Sequence, residues 1–223
     1  MLASGLRSAR VRLIQDREHH DVVIEAVRRA RRSVWIATAN LKEMRVPGRA
    51  ARRYRPVLDV FEQLARDGVT LRILHASAPS RAFRADFDAR PRLYERSDDR
   101  SDDRSDDSSD AGGLQLRQCP RVHLKVVVID GALAYLGSAN WTGAGLGAKG
   151  DHRRNFELGI VTDDDTILDA IQARYDALWR GSECAACRLR AECEAPLDLD
   201  ARPPATGPLV RLRPPRARPM RET

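Results

Sequence analysis

The sequence predicts an α/β fold, a mixed β-sheet flanked by helices on both faces. Three observations predict it. The first third alternates apolar segments of helical period with apolar segments of strand length. Two blocks, SVWIATA at Ser33–Ala39 and VVVI at Val126–Ile129, are apolar without alternation, as strands covered on both faces are. The pair Asp130-Gly131 divides two apolar runs and is a strong hairpin signal.

Taken in order, residues 1–18 form an N-terminal arm, and a domain over 19–183 follows. Asp21–Arg32 has Val22, Val23, Ala26, Val27 and Ala30 at helical spacing, with Asp21 as N-cap. Ser33–Ala39 is a buried strand, and Asn40–Arg55, polar and Arg-rich, is a loop. Pro56 can open a helix to Arg66, with Val57, Val60, Phe61 and Leu64 facing inward, and Asp67-Gly68 ends it. Val69–Leu74 is the next strand; Ala76–Tyr94 fits no single period. Residues 96–113 contain a near-perfect SDDR repeat, too polar to bury surface, and are predicted to be a disordered acidic insert. Val122–Ile129 and Ala132–Leu136 are the two strands of the hairpin. Gly143–Gly150 is a glycine-rich loop, Phe156–Val161 a strand, and Thr162–Trp179 a helix with an acidic first turn. A cysteine cluster at 184–195 and a Pro- and Arg-rich tail at 196–223, read as mobile, complete the chain.

The net charge of +7 hides a division: Ser97–Asp110 holds seven Asp against two Arg, so that piece carries −5 and the remainder +12. Such a balance suits a polyanionic partner, a nucleic acid or an anionic lipid surface, although a whole-chain sum does not locate a patch. The insert reads either as an acidic flap over a basic groove or as a tolerated loop expansion, since long surface insertions cost little entropy. No apolar run approaches the roughly 18 residues of a membrane span. The start lacks a signal-peptide core, and a cytoplasmic location is expected.

The chemistry is concentrated in His123–Asn140, HLKVVVIDGALAYLGSAN, which reads H-x-K-x4-D-x6-G-S-x-N. On a strand, residues two apart share a face, so His123 and Lys125 project together. A lysine can hold a phosphoryl oxygen and neutralise charge that develops in displacement. An imidazole can attack phosphorus through one ring nitrogen while the other is held. Ser138 and Asn140, again two apart, can share a face as donors, and Gly137 can let backbone approach a phosphate.

This pattern resembles the signature of the phospholipase D superfamily, and it matches at each fixed position. The resemblance implies a phospholipase D-like fold and a phosphodiesterase working through a covalent phosphohistidine. It implies His123 as nucleophile, Lys125 and Asn140 as phosphate ligands, and Asp130 in a supporting catalytic role. Glu157 in the N-x-E context of Asn155 and Glu157 would orient the histidine, and no metal would take part in catalysis. One such site needs two histidines, one to attack and one to protonate the leaving oxygen. The chain has one H-x-K, and His19, His20, His75 and His152 lack its context. The expectation is therefore a homodimer with the active site at the interface. Nucleic acid is slightly favoured over phospholipid as substrate. The competing reading is a non-catalytic nucleic-acid-binding module that grips backbone phosphate with the same pocket.

Cys184, Cys187 and Cys193 stand as C-x2-C-x5-C, with Cys119 just before the signature. Four thiols of this spacing can hold zinc, can hold an iron–sulfur cluster, or can be free. The arrangement is similar to the iron-staple [4Fe–4S] sites of certain bacterial recombination and CRISPR-associated nucleases, whose fold is unrelated. Of the three tryptophans, Trp35 and Trp179 sit in apolar elements and belong to the core, whereas Trp141 follows Asn140 and is a candidate substrate contact. Arg153 and Arg154 either line the same mouth or are solvated.

Overall fold

The computed structural model describes residues 8–47, 54–94 and 113–199. Seven strands make one mixed sheet: β1 (Val11–Gln15), β2 (Ser33–Thr38), β5 (Thr70–His75), β6 (Gly113–Gln118), β7 (Val126–Ile129), β8 (Leu133–Gly137) and β9 (Leu158–Thr162). Their spatial order is β1-β9-β8-β7-β2-β5-β6. The β2-β5-β6 half is parallel and the β7-β8-β9-β1 half antiparallel, joined where β7 runs against β2. The parallel half needs crossover helices, supplied by α2 (Val57–Arg66) and α3 (Arg81–Asp88).

Alternation along β2 explains the two layers. Val34 and Ile36 point into a core shared with Val27, Phe61, Phe83 and Tyr135, under α1 (Glu25–Arg28), α2 and α3. Trp35 and Ala37 point the other way, toward Leu168, Tyr175 and Trp179 of α4 (Asp165–Trp179). Helices thus cover both faces, as the sequence predicts. Trp35, Tyr175 and Trp179 stack in succession, with the Arg72 and Arg117 guanidiniums over the indoles. Trp35 and Trp179 are core residues as expected.

Several elements differ from the sequence reading. Val11–Gln15, left within an arm, is edge strand β1, held antiparallel against β9. Gly113–Gln118 is β6, hidden in the sequence behind the acidic repeat; Gly113 is its first residue, and 95–112 lie outside the described residues. The first helix begins at His19 as a π-helical segment, His19–Ile24, before α1. Asp21 is not its cap, since Glu18 holds that position without a side-chain bond. The widened turn buries both His19 and His20, and His19 meets Tyr135 edge-on at 5.4 Å. The loop expected over Asn40–Arg55 contains a short ribbon, β3 (Arg45–Pro47) against β4 (Tyr54–Pro56). The start of the tail packs on the domain: Leu197 is buried, and its carbonyl accepts from Arg117 Nη2 at 3.1 Å. Residues 200–223 lie outside the described residues.

Candidate active site

The β7–β8 hairpin builds the site at its open end. The signature strand is shorter than predicted: β7 starts at Val126, and His123 and Lys125 stand on an irregular approach to it. The approach is pinned nonetheless, because Gly137 N–H donates to Lys125 C=O at 3.1 Å. His123 is exposed and Lys125 half-buried. The Lys125 Nζ lies 3.1 Å from His123 Nδ1 and 3.0 Å from Nε2, and donates to the His123 carbonyl at 2.9 Å. Burial pushes the Lys125 ammonium below its ordinary pKa, and the nearby Glu157 carboxylate opposes that shift.

Asn140 is fixed by its oxygen. Asn140 Oδ1 accepts from Ala39 N–H and Asn40 N–H, both at 3.1 Å, and from Thr38 Oγ1 at 3.3 Å. Two backbone donors settle which end of the amide is oxygen, so Nδ2 is the end that can donate to a ligand. Thr38, buried at the end of β2, also accepts from Trp141 N–H at 2.9 Å and so holds the chain on both sides of Asn140. The glycine-rich loop closes over the same backbone: a Cβ at Gly145 would stand 2.6 Å from Asn140 O.

Ser138 and Glu157 form a second pair. Ser138 Oγ donates to Glu157 Oε2, Asn155 Nδ2 donates to Glu157 Oε1 at 3.0 Å, and Leu158 N–H donates to Ser138 Oγ at 3.1 Å. Within this one chain Glu157 bonds to Ser138 and Asn155, and among the described residues it makes no hydrogen bond to His123. Asp16, at φ 44°, braces this segment, its Oδ1 accepting from Glu157 N–H at 3.1 Å. Sequence reasoning missed both Thr38 and Asp16, which act through residues more than 100 and 140 positions away.

Three further expectations are corrected. Asp130 does not reach the site. It lies at the closed end of the hairpin, about 16 Å of strand beyond Lys125. There its carboxylate accepts from the N–H groups of Arg31 (3.0 Å), Arg32 (2.7 Å) and Ser33 (3.0 Å), tying the turn to the start of β2. Gly137 is small for a packing reason: a Cβ there would meet the Tyr135 hydroxyl and stand 2.7 Å from Gly159 Cα. Trp141 is no substrate contact; it is buried and stacks on Phe61 at 5.8 Å. Of the two arginines, Arg154 pairs with Asp151 at 2.8 Å and Arg153 is exposed. The other histidines are accounted for. His19, His20 and His75 are buried, His75 Nδ1 donating to Ser77 O at 2.9 Å, with its pKa pushed down to about 4 by burial. His152 is exposed on a 3-10 turn.

Cys119, Cys184, Cys187 and Cys193 come together around one cavity of about 30 Å³ behind the approach to His123. None is in a disulfide. Among the described residues no group of three or more His, Cys, Asp or Glu side chains is placed to hold a metal ion. No helix among them is long and apolar enough to cross a membrane.

Comparison with solved structures finds similarities at low identity. NucT from Helicobacter pylori is 18% identical, with 76% of this chain and 94% of that one covered and a TM-score of 0.46. Nuc from Salmonella typhimurium, a phospholipase D family member, is 16% identical over 78% and 95%, with a TM-score of 0.49. The phosphatidylserine synthase of Haemophilus influenzae is 14% identical over 76% of this chain and 38% of its own, with a TM-score of 0.47. No curated protein matches the sequence. The profile described as "Cardiolipin synthase, PLD-like domain" matches residues 23–179, from the first helix to the last residue of α4. That span holds all the fixed positions of the signature, and the chain belongs to the phospholipase D superfamily.

Proposed function

We propose that the protein is a phosphodiesterase that cleaves a diester through a covalent bond to His123. One observation carries the reading: an exposed imidazole with an ammonium 3.0 Å away, next to an amide whose oxygen is already bound and whose nitrogen is free to donate. A ring nitrogen of His123 attacks phosphorus, a P–N bond forms, and the P–O bond to the leaving group breaks. A second imidazolium gives that oxygen its proton. The same imidazole, now neutral, takes a proton from water as the water attacks phosphorus and expels His123. Lys125 and Asn140 Nδ2 hold the non-bridging oxygens throughout, worth several kcal/mol in such sites at about 3–4 per well-placed donor. Ser138, Asn155 and Glu157 keep the strand ends in register. Asp130 positions the hairpin and touches no reactant.

The second imidazolium comes from another copy of this chain. An uncovered apolar row supports this. Leu13, Ile160 and Leu136 lie opposite one another across β1, β9 and β8, and Leu13 and Leu136 are exposed. Leu158 extends the row toward the site, and Phe156 beside it is 98% exposed. The helix α4 covers only the other half of this sheet face. A second copy seated on the row buries it and brings two His123 residues toward one axis. Substitution Leu136→Asp is expected to give a monomer in analytical ultracentrifugation that has lost hydrolysis; a fully active monomer overturns the dimer.

The favoured substrate is a nucleic-acid backbone, supported by the excess of +12 outside the acidic segment. A cytoplasmic location goes with this reading, since four unpaired thiols suit a reducing compartment. The test is hydrolysis of single-stranded DNA, RNA and phosphatidyl lipid vesicles with chelator present. Cleavage of lipid alone reassigns the substrate; cleavage of none by the folded dimer refutes the enzyme.

A further inference from the structure

The chain nearly avoids one residue type and places it where the proposed chemistry is. Of its 39 cationic side chains only Lys42, Lys125 and Lys149 are lysine, and the rest are arginine. Arginine is therefore what this chain sets on its solvated faces. Lysine is a compact, rotatable point charge suited to single phosphate oxygens. Lys125 belongs to the signature, and the fold brings the segments of the other two beside it.

Lys42 is tied to the chain next to Asn140. Its N–H donates to Trp141 C=O at 3.1 Å, and Leu41 pairs with Trp141 in a parallel bridge. Leu41 is buried, so Asn40 and Lys42, two apart in an extended segment, both project outward and are exposed. Asn40 is also a residue whose N–H holds Asn140 Oδ1. Lys149 closes the glycine-rich loop, its N–H donating to Gly143 C=O at 3.1 Å. Its stem lies across Gly143: Lys149 Cγ and Cε stand 3.7 Å from where a Cβ would be, with Met44 Cβ at 3.4 Å. Lys149 thus reaches over the loop toward the segment that carries Lys42.

Neither ammonium is spent. Among the described residues Lys42 and Lys149 make no side-chain hydrogen bond or ion pair. By contrast Arg12, Arg29 and Arg66 pair with Glu18, Glu25 and Glu62. Glu43, beside Lys42, has its Oε1 buried. The ribbon β3–β4 extends the strip. Arg45 is used within it, its Nη2 donating to Tyr54 C=O at 2.8 Å, whereas Arg55 is exposed and Tyr54 is 49% exposed. Pro47, opposite Tyr54, is at most about 18 Å of chain beyond Lys42. Unspent cations leading to an exposed ring suit a single-stranded nucleic acid, whose backbone follows the charge and whose unpaired bases stack. A lipid headgroup, held at a bilayer surface, has nothing to lay along such a strip. We infer that Lys42, Lys149 and the β3–β4 ribbon, with Tyr54 as a stacking ring, guide a single-stranded nucleic acid into the site. The inference rests on the reading of that site as one that takes a backbone phosphate, and not on turnover.

Binding is read by anisotropy of a fluorescent single-stranded DNA of roughly 12 nucleotides on the full His123→Ala chain. Lys42→Gln with Lys149→Gln is expected to weaken it about tenfold. The slope of log K against log salt should become shallower by about 1.4, for two phosphate contacts on a single strand. Arg29→Gln with Arg66→Gln removes the same net charge from helix faces and should leave affinity and slope unchanged. Tyr54→Ser should weaken the single strand at least about fivefold and leave duplex binding unchanged. If a variant misfolds, acetylation of the His123→Ala chain with its lysines intact decides: bound oligonucleotide should protect Lys42 and Lys149 as well as Lys125. Equal acetylation with and without oligonucleotide overturns the inference. So does an equal loss in the arginine control, or binding of phosphatidylglycerol vesicles with none of the oligonucleotide. Hydrolysis by the wild-type chain is scored apart. Lysine-dependent binding without hydrolysis keeps the strip and removes the enzyme; hydrolysis with binding indifferent to the lysines removes the strip and keeps the enzyme.

Discussion

The two ends of the β7–β8 hairpin carry the fixed residues of one motif and use them in opposite ways. At the open end the polar atoms are only partly satisfied: His123 is exposed, Lys125 is its neighbour, and Asn140 has spent its oxygen but not its nitrogen. At the closed end Asp130 is fully engaged by three backbone N–H groups, and its own N–H donates to Ser33 O at 2.8 Å. On the proposed function, spare hydrogen-bonding capacity marks the end that binds, and saturated capacity marks the end that holds. A shared sequence motif therefore mixes chemistry with anchorage, and only the bonding pattern separates them.

Mutation at each end can break that division. His123→Ala is expected to lower hydrolysis at least about 10⁴-fold, as loss of a covalent nucleophile does. Binding of a fluorescent oligonucleotide by anisotropy should persist. Hydrolysis that survives would remove the open end from the chemistry. Asn140→Ala should cut kcat by about 10²–10³-fold through loss of one donor. It should also lower the melting temperature, because Ala39 and Asn40 N–H lose their acceptor; a variant with the melting point unchanged would refute the bonding described for Oδ1.

Acid sharpens the contrast from another side. His75, opposite Thr38 in the β2–β5 register, is neutral in the folded state, with a pKa of about 4 against an ordinary 6.5. Between those values the unfolded chain binds more protons than the folded one. Stability therefore falls as pH drops through that window and levels off below about pH 4, a loss near 3 kcal/mol. His75→Gln should flatten the slope in urea titrations run from pH 7 to pH 4; an unchanged slope would mean that His75 is not the group responsible. The smallest effect is Asp130→Ala, which should destabilise by about 2 kcal/mol and leave kcat/KM within about threefold, as expected of a distant anchor. A large kinetic defect with unchanged stability would return Asp130 to the reacting end.

The sequence made the centre of this molecule plain and its edges obscure. Buried strands such as Ser33–Thr38 and Val126–Ile129 announce themselves by continuous apolar runs, and α2 and α4 by helical stripes. Strand β1 alternates weakly among arginines, and β6 has only Leu114 and Leu116 as apolar residues and follows an acidic repeat, so neither carries an apolar run that stands out. The π-helical start has no local signature, because His19 is an ordinary polar residue until Tyr135 packs against it. In the candidate site, the closeness of His123 and Lys125 was legible because residues two apart in an extended segment share a face. Asp130 was read at its turn, but its partners lie 97 to 99 residues away and were hidden, and Trp141 was misread because adjacency in sequence says nothing about which way an indole turns. The gathering of Cys119 with the other thiols was suggested by residue type alone and needed the fold to be drawn in space.

The fit around Tyr135 bears on how such chains can diverge. Its ring fills the space that methyl groups at Gly137 and Gly159 would need, and its hydroxyl accepts from Ala139 N–H at 3.2 Å. A methyl at 137 and a phenol at 135 exclude each other. Where a related sequence carries alanine at the first of these places, the aromatic at the second must have shrunk in the same lineage, so the trio should drift as one unit or stay put.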